Sequence, residues 1–509
     1  MAQISREPVE PPATPRRNGH SAATVIGRSF SFRLTSQTLS ALINVAGMVV
    51  LGNYLAAGGY GQYVFYYALI PLIASLTDLG VGVIITKEIA RTPTLGPRLL
   101  GDALLIKGVV AAIMLAVVGA TVPLVFDRAT AVLVLIVTAT AIIDLTQDIG
   151  IWVFRGHDRQ DLEAVLLMVS QIAWLGGLLL CVVFKASLAF VLGSATLAFL
   201  LRTGVGLLLV TRGYQRPVFA PDWRRLRGLI AEGLPFGLAM FAVVMYGRAG
   251  VLLLKGMASD ADVAYFNVGY MLSQPLGFIS SAFSVSAFPS LARAARVGPE
   301  AVRPVLRSAI KFQFLAALPI SVGLSLLSER IVPLLLRHGS FQQAGVALMI
   351  ISLGLSLIFL NLMSRYVLTA LDQQRAYLGA ILVGLTVNVG LSAFLIHRLG
   401  FVGACVGVLG GEASVLIVCQ RVLSRFLPAG DLVREAVRPL AAALGMGLVV
   451  YLLRSWNLFI LPAVGAIVYI MLLLALRVFS SQELRIIRGV LVSFGLPGTG
   501  RVGPAEPRS

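Results

Sequence analysis

The sequence predicts an all-α polytopic membrane protein of about fourteen transmembrane helices. Two parallel six-helix bundles surround a central cavity, and two further helices follow. Three observations lead there. The chain is 58% hydrophobic and only 13% charged, against about 45–50% and about 25% in soluble domains. Apolar stretches of about 20 residues, long enough to cross a hydrocarbon core of about 30 Å, recur along its whole length. Short sequence matches also recur between the two halves, six spans apart. The alternating short segments of a β-barrel are absent, and the 51 glycines are spread through the apolar runs, as close helix packing in lipid favours.

Residues 1–28, with "EPVEPPATPRRNGH", read as a Pro- and Arg-rich disordered cytoplasmic tail. Its length, and the lack of a short apolar segment with a small-residue cleavage site, argue against a cleaved signal. The first bundle, 29–213, holds spans at 34–55, 61–86, 99–126, 129–154, 162–184 and 188–211. A basic linker at 214–228 separates it from the second bundle, 229–426. There the spans lie at 229–254, 263–289, 305–327, 344–369, 377–396 and 400–423, with "SERIVPLLLRHG" after the ninth expected as a re-entrant or interfacial piece. An extra pair at 432–453 and 458–476 occupies 427–479, and 480–509 form a second cytoplasmic tail. Pro71, Pro235 and Pro275 are expected to bend their helices.

A net charge of +18 would suit nucleic acid, but its distribution excludes that reading. Of the 41 Lys and Arg, 31 fall in the tails and in the even-to-odd connections. Seven fall in the odd-to-even ones, and Lys107, Arg202 and Arg248 lie inside spans. This alternation follows the positive-inside rule and puts both termini in the cytoplasm.

The repeat is visible at "WVFRGHDRQ" (152–160) against "YVLTALDQQ" (366–374), and at "YVFYYALIPL" (63–72) against "YFNVGYMLSQPL" (265–276). Six spans per unit start both halves on the same side. The repeats are therefore parallel, an arrangement that holds a central cavity and works by rocking one bundle against the other.

No phosphate loop, HExxH or Gly-x-Ser-x-Gly elbow occurs, and the external connections are short, which argues against an enzyme. Cys181, Cys405 and Cys419 offer neither a disulfide framework nor a metal site, and no cofactor is expected. What remains is intramembrane charge. Arg248, Arg202, Lys107 and Arg33 are candidate cavity cations. Asp144, Asp148 and Asp78 are candidate coupling acids, with Asp144 and Asp148 one helical turn apart. Each has a structural alternative. Arg33, like Glu232, could snorkel to the interface. Asp144 and Asp148 could neutralise Lys107 or Arg202, and Asp78 could bond backbone at a bend before "GVG". Arg248 has only apolar sequence neighbours, so a polar cavity is the expectation for it.

The stretch "LAAGGYGQYVFYYALIPLIASLTDLGVGVIITKEIAR" (55–91) resembles the first signature of the polysaccharide biosynthesis transporters, the Wzx-type O-antigen flippases. It is carried by Gly61, Tyr63, Asp78, Leu79, Gly80, Lys87, Glu88, Ala90 and Arg91. Arg248 and Ala264-Tyr265 match that family's seventh and eighth helices. Two departures stand out: Gly250 where members often carry an acid, and Val263 in place of the second-half glycine. The resemblance implies a bacterial inner-membrane exporter of the multidrug/oligosaccharidyl-lipid/polysaccharide superfamily that moves a polyprenyl-diphosphate-linked oligosaccharide. A glycan polymerase and a chain-length regulator would be its protein partners. Alternatives are a lipid II flippase, a multidrug/cation antiporter, and, in a different class, a membrane glycosyltransferase or polymerase.

Overall fold

The computed structural model describes residues 22–157, 159–214 and 216–479, with the side chains of 22–35, 37, 147 and 429 outside that description. The expected tail at 480–509 and most of that at 1–28 therefore lie outside it. Within it the chain is helical, with no strand among the described residues.

The first half comprises α1 (Ala22–Thr77), α2 (Val81–Arg91), α3 (Gly96–Val125), α4 (Arg128–Gly156), α5 (Gln160–Val183) and α6 (Leu188–Gly213). The second comprises α7 (Trp223–Met257), α8 (Asp260–Ser273), α9 (Gly277–Val297), α10 (Pro299–Leu335), α11 (Ala344–Leu353), α12 (Leu355–Ala370), α13 (Gln374–Leu399) and α14 (Phe401–Leu423). The extra pair is α15 (Ala429–Leu452) and α16 (Leu461–Ala475), and α15 packs on α10.

Among the described residues eleven helices are long and apolar enough to cross a membrane, or twelve with α11 and α12 counted as one span bent by 43°. Two features separate this from fourteen. The first and second expected spans share α1, interrupted only at Ala56 (φ 53°, ψ −178°) rather than by the expected loop. One left-handed residue redirects the chain, and the Ala57 N–H freed there donates to Ser340 Oγ at 3.0 Å. The last span, α16, is a 15-residue apolar helix. α1 also starts at Ala22, inside the stretch expected to be a disordered tail, because no proline or glycine interrupts 20–26.

The second and eighth spans are each broken, at different places in the repeat. α1 gives way to α2 across Asp78-Leu79-Gly80, where Leu79 (φ 55°) and Gly80 (φ 67°) are both left-handed. α8 gives way to α9 through a 3₁₀ turn, Gln274–Leu276, that holds the expected bend at Pro275. The "SERIVPLLLRHG" stretch, expected to be a re-entrant or interfacial piece, continues α10 through Leu335. Its apolar face is buried at Leu327 and Val332, and Ser325 Oγ bonds the Met349 carbonyl of α11. Continued helix keeps its backbone groups satisfied, which a re-entrant loop would not.

The largest buried cluster crosses both halves, joining Met48, Leu51, Tyr60, Tyr63 and Leu178 to Leu254, Val268, Leu348 and Cys405. α14 packs most closely on α13 through Gly403, Gly407 and Gly411, four residues apart. A Cβ on Gly411 would stand 3.0 Å from the Gly384 carbonyl oxygen, so small residues set this approach. Outward faces carry large apolar side chains such as Leu124, Phe184, Phe190 and Ile467, as a lipid-facing surface requires.

Candidate functional site

Four of the expected site residues form two ion pairs within the first half. Lys107 Nζ on α3 donates to Asp78 Oδ1 at 2.7 Å and to the Leu145 carbonyl, and lies 4.5 Å from the centre of the Trp152 ring. Arg202 Nη2 on α6 donates to Asp148 Oδ1 on α4 at 3.1 Å. The cations are the enclosed partners: Lys107 is 3% exposed, against 34% for its carboxylate partner. Asp144 lies within electrostatic reach of Asp148, Arg202, Lys107 and Asp78, so these acids and cations form one cluster. Asp78 therefore bonds a cation at the helix break, in addition to marking the bend. The side chain of Arg33 lies outside the described residues.

Arg248 has a different setting. It sits on α7 where the two halves meet, beside a hollow of about 40 Å³. Asn44, Tyr63 and Trp174 line the hollow from the first half, and Asn267 and Met271 line it from α8. Among the described residues Arg248 makes no ion pair with a carboxylate. The aromatic rings on the first-half side form a row. Tyr60 and Tyr63 stack at 6.4 Å, Tyr63 and Tyr67 at 5.5 Å, and Tyr67 lies 6.4 Å from Trp174. Tyr67 is within electrostatic reach of both Arg248 and Asp144, which links the hollow to the acidic cluster. Asn267 Nδ2 donates to the Tyr60 hydroxyl at 2.9 Å. The Tyr63 hydroxyl and the Trp174 indole N–H are buried without completing a hydrogen bond among the described residues. The two groups lie close to each other beside the hollow and meet no other partner among the described residues.

The missing acid at position 250 also has a physical reason. A Cβ on Gly250 would lie 2.6 Å from Phe266 Cζ, so no carboxylate fits there while that ring is in place.

A polar cluster in the second half was not among the expected site residues. Glu412 on α14 accepts from the Tyr246 hydroxyl at 2.9 Å and from Asn361 Nδ2 at 2.6 Å. Two residues on a helix differ by about 200° in direction. Thus α7 turns Arg248 to the interface between halves and Tyr246 to α12 and α14. That two-residue spacing was the available signal, but the partner helices carry no motif that names them.

The two halves also touch at two places along α7 and α8 away from the hollow. On the charge-rich side, a Cβ on Gly237 of α7 would be 2.8 Å from Gly80 N, and one on Gly233 would be 2.6 Å from the Leu79 carbonyl oxygen. On the opposite side, a Cβ on Gly61 would overlap the Asp260 carbonyl. Gln62 Nε2 bonds Asp260 Oδ2 at 3.0 Å there, and Lys255 pairs with the same carboxylate. The signature glycines thus mark the places where the two halves touch most closely.

Two family models match the chain. One, described as polysaccharide biosynthesis protein, covers residues 26–295, and the other, lipid II flippase MurJ, covers 163–483. The "Probable low-salt glycan biosynthesis flippase Agl15" of Haloferax volcanii is 20% identical over 388 residues, 75% of this chain and 80% of that protein. A structure of lipid II flippase MurJ in an inward closed conformation superposes with a TM-score of 0.74 at 14% identity. It covers 87% of this chain and 98% of that one. An inward-facing multidrug resistance MATE family transporter of the MOP superfamily superposes at 0.61 and 15% identity, over 78% of this chain and 95% of that one. At such identities the two structures speak to fold, while each family model covers more than half of the sequence. The chain therefore belongs to the polysaccharide biosynthesis protein and lipid II flippase MurJ families.

Proposed function

We propose that this protein moves a polyprenyl-diphosphate-linked oligosaccharide, such as an O-antigen, capsule or exopolysaccharide repeat unit, across the inner membrane by alternating access. The observation that carries the reading is Arg248, a permanent cation held at the junction of the halves with no carboxylate paired to it among the described residues. Arginine pairs bidentately with phosphate, and such pairs strengthen where water is excluded. The neighbouring row of aromatic faces suits sugar rings. A hollow of about 40 Å³ holds little more than one water, whose share of liquid volume is about 30 Å³. The halves must therefore part before a glycan enters.

In this reading Lys107 and Arg202 hold the acidic cluster rather than the substrate, and Arg33 lies at the cytoplasmic entrance. Asp78, Asp144 and Asp148 are the coupling acids, because they gather around Lys107 and Arg202 within the first half. Both termini are cytoplasmic, and a glycan polymerase and a chain-length regulator work on the product. Deleting the gene should leave lipid-linked glycan in the cytoplasmic leaflet while its synthesis continues; a halt in synthesis itself would refute the reading.

Lipid II is a second substrate reading, favoured by the MurJ model over 163–483 and by the 0.74 superposition. It has the same diphosphate and prenyl chain with a different glycan. Accumulation of lipid II on depletion, with other lipid-linked glycans unchanged, would select it.

A further inference from the structure

A second cationic site lies away from the hollow, on the charge-rich side. A crevice of about 460 Å³ opens between α10, the start of α15 and the chain leaving α16. Among the described residues five cations line it, Arg307, Lys311, Arg434, Arg438 and Arg477, against one acid, Glu435, with Asp431 also within electrostatic reach of Arg307 and Arg434. Glu435 is already engaged by Arg307 Nε at 2.6 Å. Arg434 and Arg438 are exposed and pair with no carboxylate among the described residues. Arg477 adopts φ 48° just after α16, a position where glycine is common and a side chain is strained. Its carbonyl accepts from Arg438 Nη1 at 3.4 Å, which ties the strained turn to the crevice. From the crevice, Val437, Leu440, Leu444 and Leu448 run along one exposed face of α15 at helical spacing.

Like charges collected in one crevice repel unless an anion joins them. The anion must also sit beside an apolar track that leads into the hydrocarbon. We propose that the crevice binds the phosphodiester head group of an anionic phospholipid from the surrounding leaflet. The acyl chains lie along the α15 face, and the bound lipid ties α15 and α16 to α10. Basic pockets between helices at a membrane surface attract such head groups.

The test uses the full-length protein in detergent micelles, with native mass spectrometry after adding phosphatidylglycerol or phosphatidylcholine. Phosphatidylglycerol should be retained preferentially. The double variant Arg434→Gln/Arg438→Gln should weaken that retention about thirtyfold, taking about fivefold per basic residue near a surface. A matched control, Arg224→Gln/Arg227→Gln, removes the same charge from exposed positions outside the crevice and should leave retention unchanged. Equal loss in both variants would overturn the site in favour of diffuse attraction. Unchanged retention in the crevice variant would overturn it outright. Displacement of the lipid by about 10 mM inorganic phosphate would show a free-anion site and overturn the lipid assignment.

Discussion

Gly237→Ala probes how the two halves close on the charge-rich side. The added Cβ would lie 2.8 Å from both Gly80 N and Leu79 C, and 3.1 Å from Leu79 Cα. All three are backbone atoms, so no side chain can swing away. Ordinary contact begins near 3.4 Å, and α7 must therefore withdraw from the Asp78–Gly80 break by about 0.6 Å. Overpacking of this kind costs about 1–3 kcal/mol. Alanine returns about 0.5–1 kcal/mol by favouring helix, but it does so in every conformation. The helical gain thus offsets part of the loss in folding stability, and the full steric cost falls on the closed contact. That biases the conformational equilibrium about 5- to 150-fold towards an opening on this side. The assay is labelling of Val81→Cys, 1% exposed in the closed form, by an impermeant maleimide on inside-out vesicles in a Cys181→Ser background. Labelling should rise at least about fivefold in Gly237→Ala. It should not change in Gly228→Ala, where an added Cβ meets nothing within 4 Å. Unchanged labelling in both, with unchanged melting, would refute the view that the glycine contact holds this side shut.

In the Lys107–Asp78 pair the enclosed partner is the lysine, so Asp78→Asn should destabilise more than Lys107→Met. The expected loss lies at the lower end of the roughly 3–5 kcal/mol for stranding a buried charge, since Leu145 and Trp152 still hold the ammonium; equal melting shifts would contradict this. Glu412→Gln should melt within about 1 kcal/mol of the parent, because its amide can still accept from Tyr246 and can donate to the unpaired Asn361 Oδ1. Glu412→Leu should lose about 2–6 kcal/mol by leaving two donors without an acceptor, and comparable melting of the two variants would overturn the assignment. For topology, reporters fused at Arg225 and Arg296 should read cytoplasmic and one at Asp127 external, and external activity at Arg225 would contradict the orientation.

The helices and their approximate ends were legible because each span must be apolar over about 20 residues, and the basic residues punctuate them on one side. Pro275 announced its break. The bend before "GVG" is where Leu79 and Gly80 break the helix, but the turn at Ala56 was hidden, because one residue with positive φ leaves composition and periodicity unchanged. The α10 extension was misjudged because Ser, Glu, Arg and Pro in "SERIVPLLLRHG" resemble an interface, whereas burial of Leu327 and Val332 carries the helix through. The ion pairs were only half legible. Lys107, Arg202 and three acids stood out in their spans, but which carboxylate meets which cation depends on how each helix is rotated. Tyr246, Asn361 and Glu412 escaped for the same reason, since they come together from three separate helices. Arg248 stood out because no local partner could be found for it, and the fold likewise provides none among the described residues.

The most direct test is transfer of a polyprenyl-diphosphate oligosaccharide between leaflets in proteoliposomes holding the full-length protein, with the glycan read by an impermeant lectin. The parent should expose glycan on the far leaflet. Arg248→Ala should slow this about 10- to 150-fold, the equivalent of a charge-assisted hydrogen bond worth about 1.5–3 kcal/mol, without lowering the melting temperature. Arg248→Lys should fall between them, because charge remains while the bidentate geometry is lost. Transfer by Arg248→Ala at the parent rate would contradict the central claim that this arginine receives the head group.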